Sequence, residues 1–576
     1  MAAGREGRAA SAGDQANPAV AVGILRPGEW KSISIMATAS NRISSLRSLL
    51  IDDMREMRAN LRNQLHQLGI ERVDQAQTGA DALRLLKANK YGLVLCDYNL
   101  GDHTNGQQLL EFIKAKKLLP ASTIFFMVTA ETTYTYVVAA GEFAPDDYLI
   151  KPFTASNLEA RLQRHFEKQD ALAPVLKRLG AMDLSGAAAQ CDRLIADQSK
   201  YTMEAFRLKG QALMDLGRPE EARQVYAGVL SIRPDIPWAE LGAACALKAS
   251  GEAEKAKAAA LALIEANPQF VGAYELLAEI QREQSDMDEA FKTLQQVEAI
   301  VPSTRRARVV GEMAYEVGDL AVARASFEKV ISATKNSVTK SSRDSSSLSQ
   351  VYVDVGEPKK ALDTLKAVQR EFSSEPAFKA MSAAVESRAH GDLGNHEAAE
   401  SALDKALALA SQGGSEAAIV VSRACLAAGR ETEGVNLLAA AVRSNHEDTR
   451  LVALAKRVLK ETGHEDKTQQ LVDKQVNEML ALTGEALSTA KKAKLDEAVA
   501  MITEAVTQLP NNPGVLLAAA QINLLWLSQK GLNLEFVNRI KSYMTKLDAL
   551  MPGHERVLKM NHFFRVTLAQ VAAAKE

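Results

Sequence analysis

The sequence predicts a parallel α/β domain followed by an all-α helical solenoid. Three observations carry this expectation. Short apolar runs alternate with amphipathic segments from about residue 44 to 168, the pattern of repeated βα units. Beyond about 172 the strand signals vanish and Ala, Leu, Glu and Lys dominate. That second part also carries a spacing of 34 residues, the period of a helix-turn-helix unit that buries its apolar faces only by stacking on its neighbours. At 576 residues the chain exceeds what one core holds.

Residues 1–43 are rich in Ala, Gly and Ser without an apolar period, so a disordered lead-in is expected, with Met36 an alternative start. Glu6, Asp14 and Glu29 argue against a transit peptide despite Arg5 and Arg8. In the α/β part, Leu49-Leu50-Ile51 forms a strand that ends in Asp52-Asp53. Met57, Leu61, Leu65 and Leu68 then share one face of a helix from Met54 to Leu68, closed by Gly69. A weaker strand follows near Val73, and a second helix carries Ala80, Leu83 and Lys87. The run Leu93 to Cys96 is a buried strand that stops at Asp97, before the loop formers Asn99 and Gly101. A third helix spans Gly106 to Lys117, and Thr123 to Val128 makes a fourth strand ending at Thr129. A helix near Thr132 to Ala140, a strand at Tyr148 to Ile150, the turn Lys151-Pro152-Phe153 and a last helix over 154–168 complete five βα units.

Right-handed crossovers make such a sheet parallel, and ligands bind at the carboxyl ends of its strands. Asp52, Asp53, Asp97, Thr129 and Lys151 all fall at strand ends. If strands one and three are neighbours, the three acids converge. Clustered carboxylates raise one another's pKa unless a hard cation neutralises them, and Mg²⁺ suits such oxygen ligands. A lysine and a hydroxyl in the same pocket suit the oxygens of a phosphoryl group, with Asp97 as the nucleophile. Taken singly, each feature has a plainer reading. Paired acids cap helices, a Thr after a strand caps a turn, Lys-Pro-Phe is a common turn, and Tyr148 is core. Cys96 is a small buried hydrophobe, and His103 an ordinary loop histidine.

Asp52-Asp53, Asp97 with Asn99, Thr129-Ala130, Tyr148 and Lys151-Pro152-Phe153, in this order and spacing, resemble the signature of bacterial response-regulator receiver domains. The resemblance covers about 125 residues and implies the flavodoxin-like strand order 2-1-3-4-5. It implies that Asp97 accepts phosphoryl from a histidine kinase or phosphotransfer protein. By the same resemblance Asp53, Asp97 and the carbonyl of Asn99 hold Mg²⁺, with Asp52 acting through water. Lys151 contacts the phosphoryl group, Thr129 moves toward it, and Tyr148 turns inward, so that the surface of the last two βα units changes. It also implies a cis Lys151-Pro152 peptide.

In the solenoid, Pro234, Pro268 and Pro302 recur every 34 residues. A turn residue precedes a small one by five positions at Asp183/Ala188, Gly217/Ala222, Gly251/Ala256, Ser285/Ala290, Gly318/Ala323, Gly356/Ala361, Gly394/Ala399 and Gly429/Gly434. Phe206, Gly210, Leu213, Ala222, Tyr226 and Pro234, and again Tyr274, Leu277, Ala278, Ala290 and Pro302, resemble the tetratricopeptide consensus. The expected array covers 173–440, with degenerate repeats and a cap over 441–576. The Ser-rich stretch 332–349 is expected to interrupt the stack as a loop.

The 69 basic and 71 acidic residues nearly cancel, which gives no field for nucleic acid, and no run is long enough to span a membrane. Cys96, Cys191, Cys245 and Cys425 form no CxxC pair and read as reduced thiols in a cytoplasmic protein. No nucleotide-binding, metalloprotease or DNA-reading motif is present, so a non-enzymatic regulator that signals through protein or peptide contacts is expected. Three alternatives stay open: a DNA-binding transcriptional regulator with a cryptic module in the C-terminal third, a phosphatase, or a phosphate sink.

Overall fold

The computed structural model describes residues 42–101, 105–116, 118–120, 122–130, 144–335, 337, 339–551 and 554–573. The N-terminal lead-in up to residue 41 with Met36, His103 and the helix expected near Thr132 to Ala140 lie outside the described residues.

The α/β unit runs β1 (Arg47–Ile51), α1 (Arg55–Gln67), β2 (Arg72–Ala76), α2 (Gly79–Ala88), β3 (Leu93–Asp97), α3 (Gly106–Ala115), β4 (Ile124–Thr129), β5 (Asp147–Ile150) and α4 (Ala155–Gly180). All strand pairs are parallel, in the order β2-β1-β3-β4-β5. Alternate strand residues feed two cores. Leu49, Ile51, Val94, Cys96, Phe125, Met127 and Tyr148 pack with Leu83, Leu86 and Leu109 of α2 and α3. Leu50, Leu93, Leu95, Phe126, Val128 and Leu149 pack with Leu61, Leu65, Leu158 and Leu162 of α1 and α4. Burial on both faces explains why β1, β3 and β4 read as continuous apolar runs, whereas the edge strand β2, Arg72–Ala76, is largely polar and partly exposed.

The last helix of this unit does not stop at residue 168. α4 is one helix of 26 residues with Pro174 inside it. Its first half buries Leu158, Leu162 and Phe166 under the sheet. Its second half seats Val175 against Ala187, Cys191 and Ala205 of the first repeat. Pro174 removes one helical hydrogen bond, yet apolar residues on both sides of it continue the helix into the next core.

Helix pairs follow to residue 573. The turn residues Gly217, Gly251, Gly318, Gly356, Gly394 and Gly429 have positive φ, as does Ser285 at φ 63°. This left-handed conformation ends one helix and redirects the next. The small residues five positions later sit where helices touch, and Ala222, Ala256, Ala290, Ala323 and Ala361 are fully buried. Gly210 and Gly242 flank the ring of Tyr226 so closely that a Cβ at either would lie 2.5 Å from it.

The Ser-rich stretch corrects a sequence-based expectation. It is largely helical: Leu320–Thr334 precedes it, and Ser342–Asp354 is a helix with Ser345, Ser346 and Ser349 buried. The Ser349 hydroxyl donates to the carbonyl of Ser345 at 2.8 Å, which satisfies it inside the helix, so small polar residues serve here as close-packing residues.

Between residues 304 and 461 the inner helices close on one another through buried charge. Asp354 accepts from Arg388 at 2.7 Å and from Arg423 at 2.9 Å, and the Tyr315 hydroxyl donates to it at 2.8 Å. Arg423 also reaches Glu461 at 2.5 Å, and the Arg457 guanidinium stacks 3.9 Å over the Tyr315 ring. Burial alone would raise the Asp354 pKa, but Arg423 and Arg388 hold it below the ordinary carboxylate range. The cavity beside this network, lined by Glu312, Glu316, Glu416 and Arg450, measures about 40 Å³, room for ordered water and nothing larger.

Removing one member of such a network leaves buried charge uncompensated. Arg423→Ala is expected to lower stability by about 3–5 kcal/mol, read as an earlier urea transition in circular dichroism. An unchanged transition would show that the network adds nothing to stability.

Candidate functional site

Register creates the site. β1 pairs with β3 so that Ile51 lies opposite Cys96, and the residues after each, Asp52 and Asp97, emerge side by side. β3 pairs with β4 with Asp97 opposite Val128, and Thr129 ends β4 opposite Ile150 of β5. Lys151 follows directly, its N–H donating to the Thr129 carbonyl at 2.8 Å. The Lys151-Pro152 peptide is cis.

The structure thus brings Asp52, Asp53, Asp97 and Lys151 to one sheet edge. Ligand oxygens of the three acids all lie within 4.8 Å of one another. The Lys151 Nζ lies 3.0 Å from Asp97 Oδ2 and 3.4 Å from Asp52 Oδ2. The Asp52 side chain is fully buried, whereas that of Asp97 keeps 11% exposure, enough to meet an incoming group. Thr129 is buried beside them, and Asn99 is exposed in the loop after β3. Tyr148 sits inward in the core, and its buried hydroxyl has no hydrogen-bond partner among the described residues. Burial lifts the pKa of that phenol.

Burial is also the largest influence on Asp97 and raises its pKa; Lys151 opposes this and Asp52 adds to it, for a net upward shift. The neighbouring Cys96 thiol is pushed well up by burial and by the two acids, which keeps it neutral and inert.

Other residues hold the site in ways the sequence reading missed. Arg58 donates to the backbone carbonyls of Asp52 at 2.6 Å and Asp53 at 3.0 Å. Asp52 Oδ1 accepts from the Met54 N–H at 2.8 Å. Gly106, the first residue of α3, lies so near the acid loop that a Cβ there would sit 2.2 Å from the Asp97 carbonyl. Its N–H donates to the Tyr98 carbonyl at 2.7 Å. A glycine opening a helix was the available signal for this close approach.

The response regulator receiver domain profile matches residues 49–163, and tetratricopeptide repeat profiles match 176–237, 213–280 and 385–412. Chemotaxis protein CheY-3 of Vibrio cholerae is 32% identical over 124 residues, covering 22% of this chain and 94% of that protein. The chain belongs to the response-regulator family. Chemotaxis protein CheY of Pseudomonas aeruginosa is 30% identical over 123 residues, 21% of this chain and 98% of that protein. Among solved structures, a tetratricopeptide repeat protein from Parabacteroides merdae aligns with a TM-score of 0.27 at 17% identity, covering 42% of this chain and 92% of that one. As a response regulator the protein joins a receiver domain to a repeat array, and among its described residues no helix is long and apolar enough to cross a membrane.

The raised pKa of Asp97 means that its ionised form is disfavoured by folding. The penalty is absent below the unfolded-state carboxylate pKa, grows as pH rises through the folded-state value, and persists at neutral pH. Without divalent cations, Asp97→Asn is therefore expected to melt above wild type at pH 7, the gap narrowing as pH falls through the carboxylate range. A gap that widens on acidification would contradict this.

Proposed function

We propose that this response regulator receives a phosphoryl group on Asp97 from a histidine kinase or phosphotransfer protein and passes the change to its repeat array, which acts by contact with a protein or peptide partner and not by catalysis. One observation carries the reading: the partly accessible Asp97 carboxylate lies 3.0 Å from the Lys151 amine within a cluster of three acids. In that setting an Asp97 oxygen attacks phosphorus as the P–N bond to the donor histidine breaks, the bonding pair leaving with the donor nitrogen. Lys151 meets the phosphoryl oxygens, Thr129 hydrogen-bonds one of them, and the inward Tyr148 is the aromatic whose position follows Thr129.

The donor set fits a hard divalent cation. Asp53, Asp97 and the Asn99 carbonyl, with Asp52 acting through water, are the residues that would hold Mg²⁺, whose charge offsets that of the acids and the transferred group. Arg58 fixes the backbone on which two of these acids stand. Four free cysteines, three of them buried, suit a reducing compartment, and the reading places the protein in the cytoplasm.

The repeats between 304 and 461 present a filled inner face. A wider groove of about 460 Å³ lies among the helices Lys474–Lys491, Pro513–Lys530 and Glu555–Ala573, lined by Leu487, Leu517, Met560 and Phe563.

Intact mass after incubation with Mg²⁺ and a small-molecule phosphodonor tests the proposal. Wild type is expected to gain one phosphoryl group and Asp97→Ala none. Lys151→Ala is expected to slow the gain by roughly 10²–10³, the usual effect of removing one preorganised charge-stabilising donor, and chelation to abolish it. Equal gain in wild type and Asp97→Ala would overturn the assignment of Asp97.

A further inference from the structure

Among the described residues, the receiver domain meets the array through two contacts of different character. The first is the continuous helix α4, reinforced where Glu167 pairs with Lys200 at 2.9 Å and Lys168 with Glu204 at 3.2 Å. Apolar residues on both halves make this joint part of two cores. The second lies on α3, the helix that follows the phosphoacceptor strand. There Gln108 Nε2 donates to the Thr304 hydroxyl at 2.5 Å, at the first residue of the array helix Thr304–Val317. Glu111, on the next turn of the same helix, stands within Coulomb range of Arg306 and Arg308. The second contact is polar and partly solvated.

Gln108 faces both ways. Its Oε1 accepts from the Asn105 N–H at 3.1 Å, while its own N–H donates to Asn105 Oδ1 at 2.8 Å, closing the capping box of α3. That same helix start is pressed against the Asp97 carbonyl by Gly106. On the array side, Arg308 makes a two-pronged bridge to the buried Asp344 at 2.6 and 2.8 Å. The adjacent Arg343 reaches Glu312 at 3.3 Å and Glu416 at 3.2 Å, and Arg450 reaches Glu416 at 3.1 Å. Polar contacts therefore lead from the loop after Asp97, through α3, to the charged cluster of Arg308, Asp344, Arg343 and Glu416.

We infer that α3 is a latch: Gln108 and Glu111 hold the receiver onto the head of helix Thr304–Val317 while Asp97 is unmodified, and phosphorylation of Asp97 releases this contact while the α4 joint persists. The inference rests on the reading of Asp97 as phosphoacceptor, and it assigns the array-facing role to the third βα unit. By linkage, a change that breaks the latch must also favour the activated state of Asp97.

The test uses the full-length protein, with beryllofluoride and Mg²⁺ as phosphoryl mimic. Small-angle scattering reads the domain arrangement and calorimetric titration reads affinity at the site. Glu111→Arg sets a cation against Arg306 and Arg308. Without ligand, this variant is expected to show the larger radius of gyration of beryllofluoride-bound wild type and to bind beryllofluoride about fivefold more tightly or better, at the low end of ordinary allosteric coupling. The charge swap Glu111→Arg with Arg306→Glu is expected to restore the compact form and wild-type affinity. Should Glu111→Arg fail to fold, Gln108→Ala, which removes only the cap and the bond to Thr304, serves for the same comparison.

A contact with a merely structural role would lower the melting temperature without changing affinity at Asp97, and that result would overturn the latch. So would wild-type scattering that stays unchanged on binding beryllofluoride. Both outcomes leave Asp97 as phosphoacceptor intact. Failure of wild type to bind beryllofluoride or to gain a phosphoryl group would instead remove the reading of Asp97, and the latch with it.

Discussion

The pairing of β1 with β3 is the constraint on which the receiver depends. Asp52 and Asp97 are 45 positions apart in sequence and become neighbours only because Ile51 stands opposite Cys96. A slip of one residue would exchange the two faces of the strand, sending Leu50 where Ile51 belongs. The separate cores on either side of the sheet forbid it. Leu49 and Ile51 are buried under one helical layer and Leu50 under the other, all fully enclosed. Packing that looks purely structural therefore places the acids, and the cost of crowding them is carried by the receiver's apolar layers.

The array solves a related problem along one dimension. A single helix pair leaves an apolar face open, so stacking is obligatory. The glycine turns and small residues let each pair approach the next. Midway along the array the inner helices are joined by charge as well as by apolar contact, with Asp354 shared by Arg388, Arg423 and the Tyr315 hydroxyl. Breaking any one of these contacts leaves buried charge uncompensated, which disfavours rearrangement of the repeats around it. A partner that uses this inner face must reorganise the network, whereas one that uses the groove among the C-terminal helices need not.

Much of this was legible in the sequence because it is periodic or local. Apolar runs, strand-end acids and the 34-residue spacing each follow from backbone geometry, and the structure brings together Asp52, Asp53, Asp97 and Lys151, which the strand ends had singled out. The strand order came through the resemblance to receiver domains, since periodicity carries no information on which strands are neighbours. What escaped is what depends on contacts. The helix expected over 154–168 continues through Pro174 because Leu172 and Val175 are buried on either side of it, and that burial outweighs one lost hydrogen bond. The serines at 345, 346 and 349 have loop composition, yet small size is what their position between helices demands. Pairs such as Arg423 with Tyr315, separated by 108 residues, or Gln108 with Thr304, separated by 196, leave no periodic trace.

Energetics explain why a two-point connection suits a switch. A covalent modification shifts a two-state equilibrium only by the difference in its interaction with the two states, and moving from one part in a hundred to ninety-nine takes about 5.5 kcal/mol. The α4 joint is buried in two cores, and opening it would expose Leu162, Phe166 and Val175 together, at roughly 1.5–3 kcal/mol each. That sum, roughly 4.5–9 kcal/mol, is comparable to or above a full population shift, so the joint holds where a weaker contact opens. The α3 contact is different. One neutral hydrogen bond contributes about 1 kcal/mol, and Glu111 adds a longer-range attraction to the half-buried Arg306 and Arg308. A contact of that strength can hold the resting arrangement against thermal motion and still yield to the repulsion and reorganisation that a phosphoryl group brings to Asp97. The difference in burial between the two anchors is thus what lets one act as a pivot and the other as a release.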